Sequence, residues 1–94
     1  MKAEKQNYLI GICNTDADGV VQYRVIGTKR QVQRHLVALV KEDRRNDTDG
    51  YNYGTEELND VTEDAEGCMQ AYAAYSNYHI DYTATPEKDP IVLT

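Results

Sequence analysis

Phenylalanine and tryptophan are missing from this 94-residue chain, and cysteine and proline occur only twice each. Without Phe or Trp, any aromatic part of a core has to be tyrosine, whose hydroxyl needs a partner once it is buried. Two cysteines, Cys13 and Cys68, are too few for the disulfide-built secreted class, in which chains of this size carry about four to eight. Each lies in a strand-like stretch among apolar neighbours, where a reduced thiol serves as a small hydrophobe. Long apolar runs are also lacking. The longest, Leu36-Val37-Ala38-Leu39-Val40, falls far short of the roughly 20 residues that cross a bilayer. Positive charge is in deficit, with 10 Lys and Arg against 16 Asp and Glu for a net charge of −6. That balance excludes a nucleic-acid coat or a polybasic membrane binder, both of which need net positive surface to attract phosphate. The segment Met1 to Asn7 leads into an apolar stretch too short for a secretory leader, so a cytoplasmic location is expected.

What is present suits one domain over residues 1–94, with 40% of residues apolar, an ordered core over about 7–85 and a polar tail over 86–94. Tyr8 to Cys13 reads as a buried strand, and Asn14-Thr15-Asp16-Ala17-Asp18-Gly19 as a turn. In Val20 to Ile26, Val21, Tyr23 and Val25 alternate with Gln22 and Arg24, which completes a hairpin. Thr28 is a helix N-cap, and Val32, Leu36, Leu39 and Val40 recur at helical spacing, so a helix should run to Arg44 or Arg45. Leu58 and Val61 fit either a short strand over 57–63 or a helical turn. Cys68 to Thr85 reads as extended, with Ser76-Asn77 either a bulge or a hairpin tip, although the alanines of Met69 to Ala74 also suit a helix. The expected fold is α+β, in the order β-β-α-β-β, with one amphipathic helix on one face of an antiparallel sheet.

Motifs that carry chemistry are scarce. No glycine-rich phosphate loop, nucleophile elbow or metalloprotease motif occurs, so an enzyme is not expected and no cofactor is implied. Two stretches approach a calcium loop, which needs oxygen ligands at positions 1, 3, 5 and 12 and glycine at 6. Asn14, Asp16, Asp18 and Gly19 fit the first half of one, but position 12 is Val25. Asp47, Asp49, Gly50 and Glu56 fit the other, but position 1 is Arg45. Cys13, His35, Cys68 and His79 have zinc-binding atoms without the close spacing of zinc sites. His35 reads as the edge of the helix stripe and His79 as a strand's polar face.

Charge and tyrosine are distributed unevenly. Ten acidic residues, Glu42, Asp43, Asp47, Asp49, Glu56, Glu57, Asp60, Glu63, Asp64 and Glu66, are opposed within that span only by Arg44 and Arg45. Six of the eight tyrosines, Tyr51, Tyr53, Tyr72, Tyr75, Tyr78 and Tyr82, lie in or after this segment. Tyrosine is a rigid contact residue of interfaces. Carboxylates among tyrosines suit a basic protein surface, including one that otherwise holds phosphates. The competing reading makes the acids a solvated face and the tyrosines the lining of a half-wet sheet.

Tyr8-Leu9-Ile10-Gly11-Ile12-Cys13-Asn14-Thr15, Tyr53-Gly54-Thr55-Glu56 and Tyr78-His79-Ile80-Asp81-Tyr82-Thr83-Ala84 together resemble small uncharacterised proteins carried on conjugative elements of Gram-positive gut bacteria. The resemblance spans most of the chain and brings no activity or functional residue. It implies a setting in which small acidic proteins inhibit or modulate a host protein.

The sequence therefore leads to a non-enzymatic protein-binding domain with Tyr51, Tyr53, Glu56, Glu57, Asp60, Glu63 and Asp64 as the contact set. The expected partner is a basic surface, such as that of a DNA-associated host protein, with no direct contact to nucleic acid or membrane. The alternatives are a small-ligand or calcium module on Asp47, Asp49 and Glu56, and a self-associating domain, such as a homodimer, that pairs an exposed sheet edge with a copy of itself.

Overall fold

The computed structural model describes residues 4–15, 20–47 and 52–87. Strand β1 (Gln6–Asn14) is followed by β2 (Val20–Gly27), helix α1 (Lys29–Arg45), β3 (Asn52–Gly54), β4 (Thr62–Glu63), β5 (Met69–Tyr75) and β6 (His79–Pro86). The sheet is antiparallel in the order β2-β1-β6-β5-β3, and β4 also pairs with β5. The expected α+β fold, with one helix on one face of an antiparallel sheet, is the fold observed.

The helix starts at Thr28, whose hydroxyl accepts the Gln31 amide while the Gln31 side chain accepts the Thr28 amide. This reciprocal box satisfies two amides that the helix itself leaves unpaired. Arg44 and Arg45 occupy the last turn, where cations complement the carbonyl end of the helix dipole. Val32, Leu36, Val37 and Val40 are buried against Tyr8 and Ile10 of β1, Met69, Ala71 and Ala73 of β5, and Ile80, Tyr82 and Ala84 of β6. Leu36, Ile10 and Met69 are completely buried.

Three regions that the sequence leaves open resolve through packing. Met69 to Ala74 is strand, because Met69, Ala71 and Ala73 point at the helix and small side chains let it approach. Ser76 and Asn77 form the tip of the β5–β6 hairpin, closed by the Tyr75 amide donating to the Tyr78 carbonyl at 2.9 Å. The strand expected over 57–63 divides into a 3-10 turn at Leu58–Asp60 and the two-residue β4. The sequence reading had no counterpart of β3. Gly67, at φ 89°, is the one left-handed residue in the described chain and turns it from β4 into β5. Strand β6 includes Pro86, and the Glu87 amide bonds the Asn7 carbonyl at 2.9 Å.

Residues 16–19 of the expected turn and 88–94 of the expected tail lie outside the described residues.

Candidate functional site

Among the described residues, the helix covers one face of the sheet and no element covers the other, open face. Across the open face run Arg24 beside Leu9 and Thr85, then Gln22, Gly11, Thr83, Gln70 and Thr62, then Val20, Cys13, Asp81 and Tyr72. Tyr53 of β3 lies opposite Ala74 on the same face. Its ring meets Tyr72 edge to face, with centroids 6.3 Å apart and planes at 82°. Both are well exposed, Tyr53 at 60% and Tyr72 at 43%. Beside them a recess of about 270 Å³ is lined by Asp60, Thr62, Gln70, Ala71, Tyr72 and Asp81.

The position of Tyr53 depends on close backbone contact. A Cβ at Gly54 would stand 2.3 Å from the Tyr72 carbonyl oxygen, so only glycine lets β3 lie so tightly on β5. The next residue, Thr55, is almost fully buried. Its amide donates to the Tyr72 carbonyl at 3.0 Å, and its hydroxyl accepts the Tyr72 amide at 3.1 Å. At the other end of β3, the Asn52 side chain accepts Arg44 Nε at 2.8 Å and donates to Asp47 Oδ2 at 2.8 Å. The strand that carries Tyr53 is thus pinned to β5 at one end and to the helix C-terminus at the other.

Most of the acidic segment is engaged in building the fold. Asp60 Oδ2 accepts the amides of Glu56 and Glu57 at 3.1 and 3.0 Å. Asp64 Oδ1 accepts those of Glu66 and Cys68 at 2.9 and 3.0 Å. Glu63 faces the helix side and pairs with Lys29. Asp43 accepts a hydrogen bond from the Tyr75 hydroxyl. Glu56 lies 3.6 Å from the Arg44 guanidinium. A groove of about 380 Å³ between α1 and the loop after β3 sets Glu56, Glu57 and Leu58 beside Arg34, Val37 and Lys41, so cations face these carboxylates.

The tyrosines divide in the same way. Tyr8 and Tyr82 are core residues, and Tyr75 stacks on Tyr78 with centroids 4.7 Å apart. The Tyr23 hydroxyl meets His35 Nε2. Burial, and then the hydrogen bond to Asp43, push the Tyr75 hydroxyl well above the usual tyrosine range, and burial does the same for Tyr82.

Of the expected contact set, Tyr53 and Asp60 come together around Tyr72, Glu56 and Glu57 lie on the adjoining loop, and Glu63 and Asp64 are committed elsewhere. Tyr51 lies outside the described residues. Tyr72 and Asp81 were absent from that set. Only the hairpin register, which places them opposite each other, brings them to this surface.

For the calcium alternative, Asp47 faces the Asn52 amide, Glu56 faces Arg44, and Asp49 lies outside the described residues. No group of three or more metal-ligating side chains occurs among the described residues. Both cysteines are free, and Cys13, expected as a buried hydrophobe, is exposed on the open face because the helix covers the opposite side of β1. No helix among the described residues is long and apolar enough to cross a membrane. No family model, curated protein or solved structure matches the chain.

Proposed function

We propose that this protein is a non-enzymatic interaction module whose open sheet face, at Tyr53, Tyr72, Asp60 and Asp81, takes an arginine-bearing basic surface of another protein. The observation that carries this reading is the exposed Tyr53–Tyr72 pair, held on a pinned strand beside a recess that has two carboxylates in its lining. A guanidinium stacks on tyrosine faces and bonds carboxylates through its planar fork, whereas an ammonium offers only a compact, strongly hydrated charge. A partner that normally holds phosphates, such as a DNA-associated protein, presents this chemistry. The remaining acids of the 42–66 segment supply long-range attraction that salt weakens.

The test compares, by calorimetry at low and moderate salt, an arginine-rich peptide with a lysine peptide of equal length and charge. Preference for the arginine peptide that is lost in Tyr53→Thr and in Tyr72→Thr supports the reading. Equal binding of both peptides, or an unchanged preference in the variants, removes it. Competitor DNA added to a pull-down with tagged protein then shows whether a captured partner uses its phosphate site.

A further inference from the structure

The two edges of the sheet are built differently. On one side the outer edge of β5 is covered by β3 and β4, of three and two residues, with a 3-10 turn between them. Short, interrupted edge strands of this kind resist pairing with another chain. On the other side β2 runs for eight residues, contains no proline or lysine, and among the described residues pairs only with β1. Val20, Val21 and Ile26 of this strand are 54%, 61% and 74% exposed.

The direction of the free hydrogen-bonding groups follows from the ladder. The Glu87 amide bonds the Asn7 carbonyl and the Thr15 amide bonds the His79 carbonyl, so odd-numbered positions along β1 face β6. Alternate residues of an inner strand bond opposite neighbours, so even-numbered positions face β2. Their partners, Val21 opposite Ile12, Tyr23 opposite Ile10 and Val25 opposite Tyr8, are therefore bonded inward. Val20, Gln22, Arg24 and Ile26 direct their N–H and C=O groups out of the sheet.

We infer that this edge pairs antiparallel with the β2 strand of a second copy of the chain, about a two-fold axis at Tyr23. Outward residues must oppose outward residues, and three centres within the strand engage at least three of the four. A centre at Arg24 sets guanidinium against guanidinium, a destabilising cross-strand pair. A centre at Gln22 sets Val20 against the partner's Arg24 and leaves Ile26 unpaired. A centre at Tyr23 sets Val20 against the partner's Ile26 and Gln22 against the partner's Arg24, so every outward amide meets a carbonyl. The apolar positions meet each other, and the guanidinium, whose Nε already bonds Glu87 at 2.8 Å, turns its remaining donors to a neutral amide. On the helix side the same register brings the partner's Val21 opposite Val25. There a recess of about 280 Å³, lined by Val25, Gly27, Gln31, Val32 and His35 among others, borders the strand.

A two-fold axis of this kind is perpendicular to the sheet. It keeps both helices on one side and joins the two open faces on the other.

Sedimentation velocity between about 2 and 200 µM protein tests the inference, since self-association follows mass action. The wild-type chain should move from one-chain to two-chain mass as concentration rises. Gln22→Pro removes an outward amide while sparing the β1 ladder, and Ile26→Lys sets an ammonium against the partner's Val20. Both should stay monomeric with an unchanged circular dichroism spectrum. Adding Val20→Glu to Ile26→Lys should restore the dimer, because this register alone brings positions 20 and 26 together. If Gln22→Pro fails to fold, the charge pair carries the test. A wild-type chain that stays monomeric overturns the inference, including the case in which slow hydrogen exchange at Gln22 and Arg24 shows the edge covered by something else. Dimerisation of Ile26→Lys at wild-type strength, or failure of the folded double variant to recover it, overturns the register.

Discussion

On the helix-covered face of the sheet Tyr8 and Tyr82 are 2% and 3% exposed, and the Tyr75 hydroxyl donates a hydrogen bond to Asp43. On the open face Tyr53 and Tyr72 stand exposed, each the other's ring neighbour. The same residue type thus serves two purposes in one small domain. Covered tyrosines take the place of the missing phenylalanine, and the hydroxyls of Tyr75 and Tyr23 meet Asp43 and His35. Tyr53 stands in water on a strand that a glycine and a buried threonine hold against β5, where Tyr72 stands exposed beside it. The comparison also explains why counting acids overstates the negative surface. Asp60 and Asp64 spend an oxygen each on turn amides, and Glu63 and Asp43 meet Lys29 and Tyr75.

The largest expected effect lies on the covered face. Leu36 is wholly buried between helix and sheet, and Leu36→Ala should destabilise the domain by about 2–5 kcal/mol in a urea titration. A loss below about 1 kcal/mol would mean that the helix is not packed on the sheet as described.

How much of this was legible in the sequence follows from which forces are local. The helix was readable to within a residue, because Thr28, the apolar spacing and the terminal arginines all act within one segment. The β1–β2 hairpin was readable from alternation and turn formers, but not which of its strands would form the edge. β3, β4 and β5 were ambiguous because their conformation is decided by what they pack against. Ala71 and Ala73 are strand residues only because a helix lies above them, and β3 exists only because Gly54 admits the Tyr72 carbonyl. The Tyr53–Tyr72 pair joins positions 19 residues apart through a register that no local pattern specifies. The acids looked like a surface because sequence lists charges and not the amides, guanidinium and ammonium groups that meet them.

A middle-sized effect separates the covered tyrosines from solvent by pH. Burial raises the hydroxyl pKa of Tyr75, Tyr82, Tyr8 and Tyr23 above its unfolded value, with the Asp43 hydrogen bond adding to the shift at Tyr75. A proton held more tightly in the folded state gives stability that is complete below the unfolded value near pH 10 and is lost as pH rises through the folded values. The melting temperature should therefore fall between about pH 9.5 and pH 11.5. Tyr75→Phe should cost about 1 kcal/mol at neutral pH, through loss of the bond to Asp43, and should flatten this alkaline decline. A decline as steep in Tyr75→Phe as in wild type would show that Tyr75 does not contribute to it.

The smallest expected effect bears most directly on function. Tyr53→Thr and Tyr72→Thr keep a strand-favouring residue and remove one ring of the exposed pair, so each should change stability by less than about 1 kcal/mol. Both should nonetheless abolish the preference for an arginine-rich over a lysine peptide. A residue that matters little to folding and much to binding belongs to a surface, whereas one that moves both belongs to the scaffold beneath it. Gly54→Ala supplies the control: its Cβ collides with the Tyr72 carbonyl, so it should disturb β3 and lower stability together with binding. If the tyrosine variants instead lose several kcal/mol, as Leu36→Ala should, the open face is a second packing surface whose cover has yet to be found. The contrast between the two faces would then collapse, and the reading of the Tyr53–Tyr72 pair as a recognition element with it.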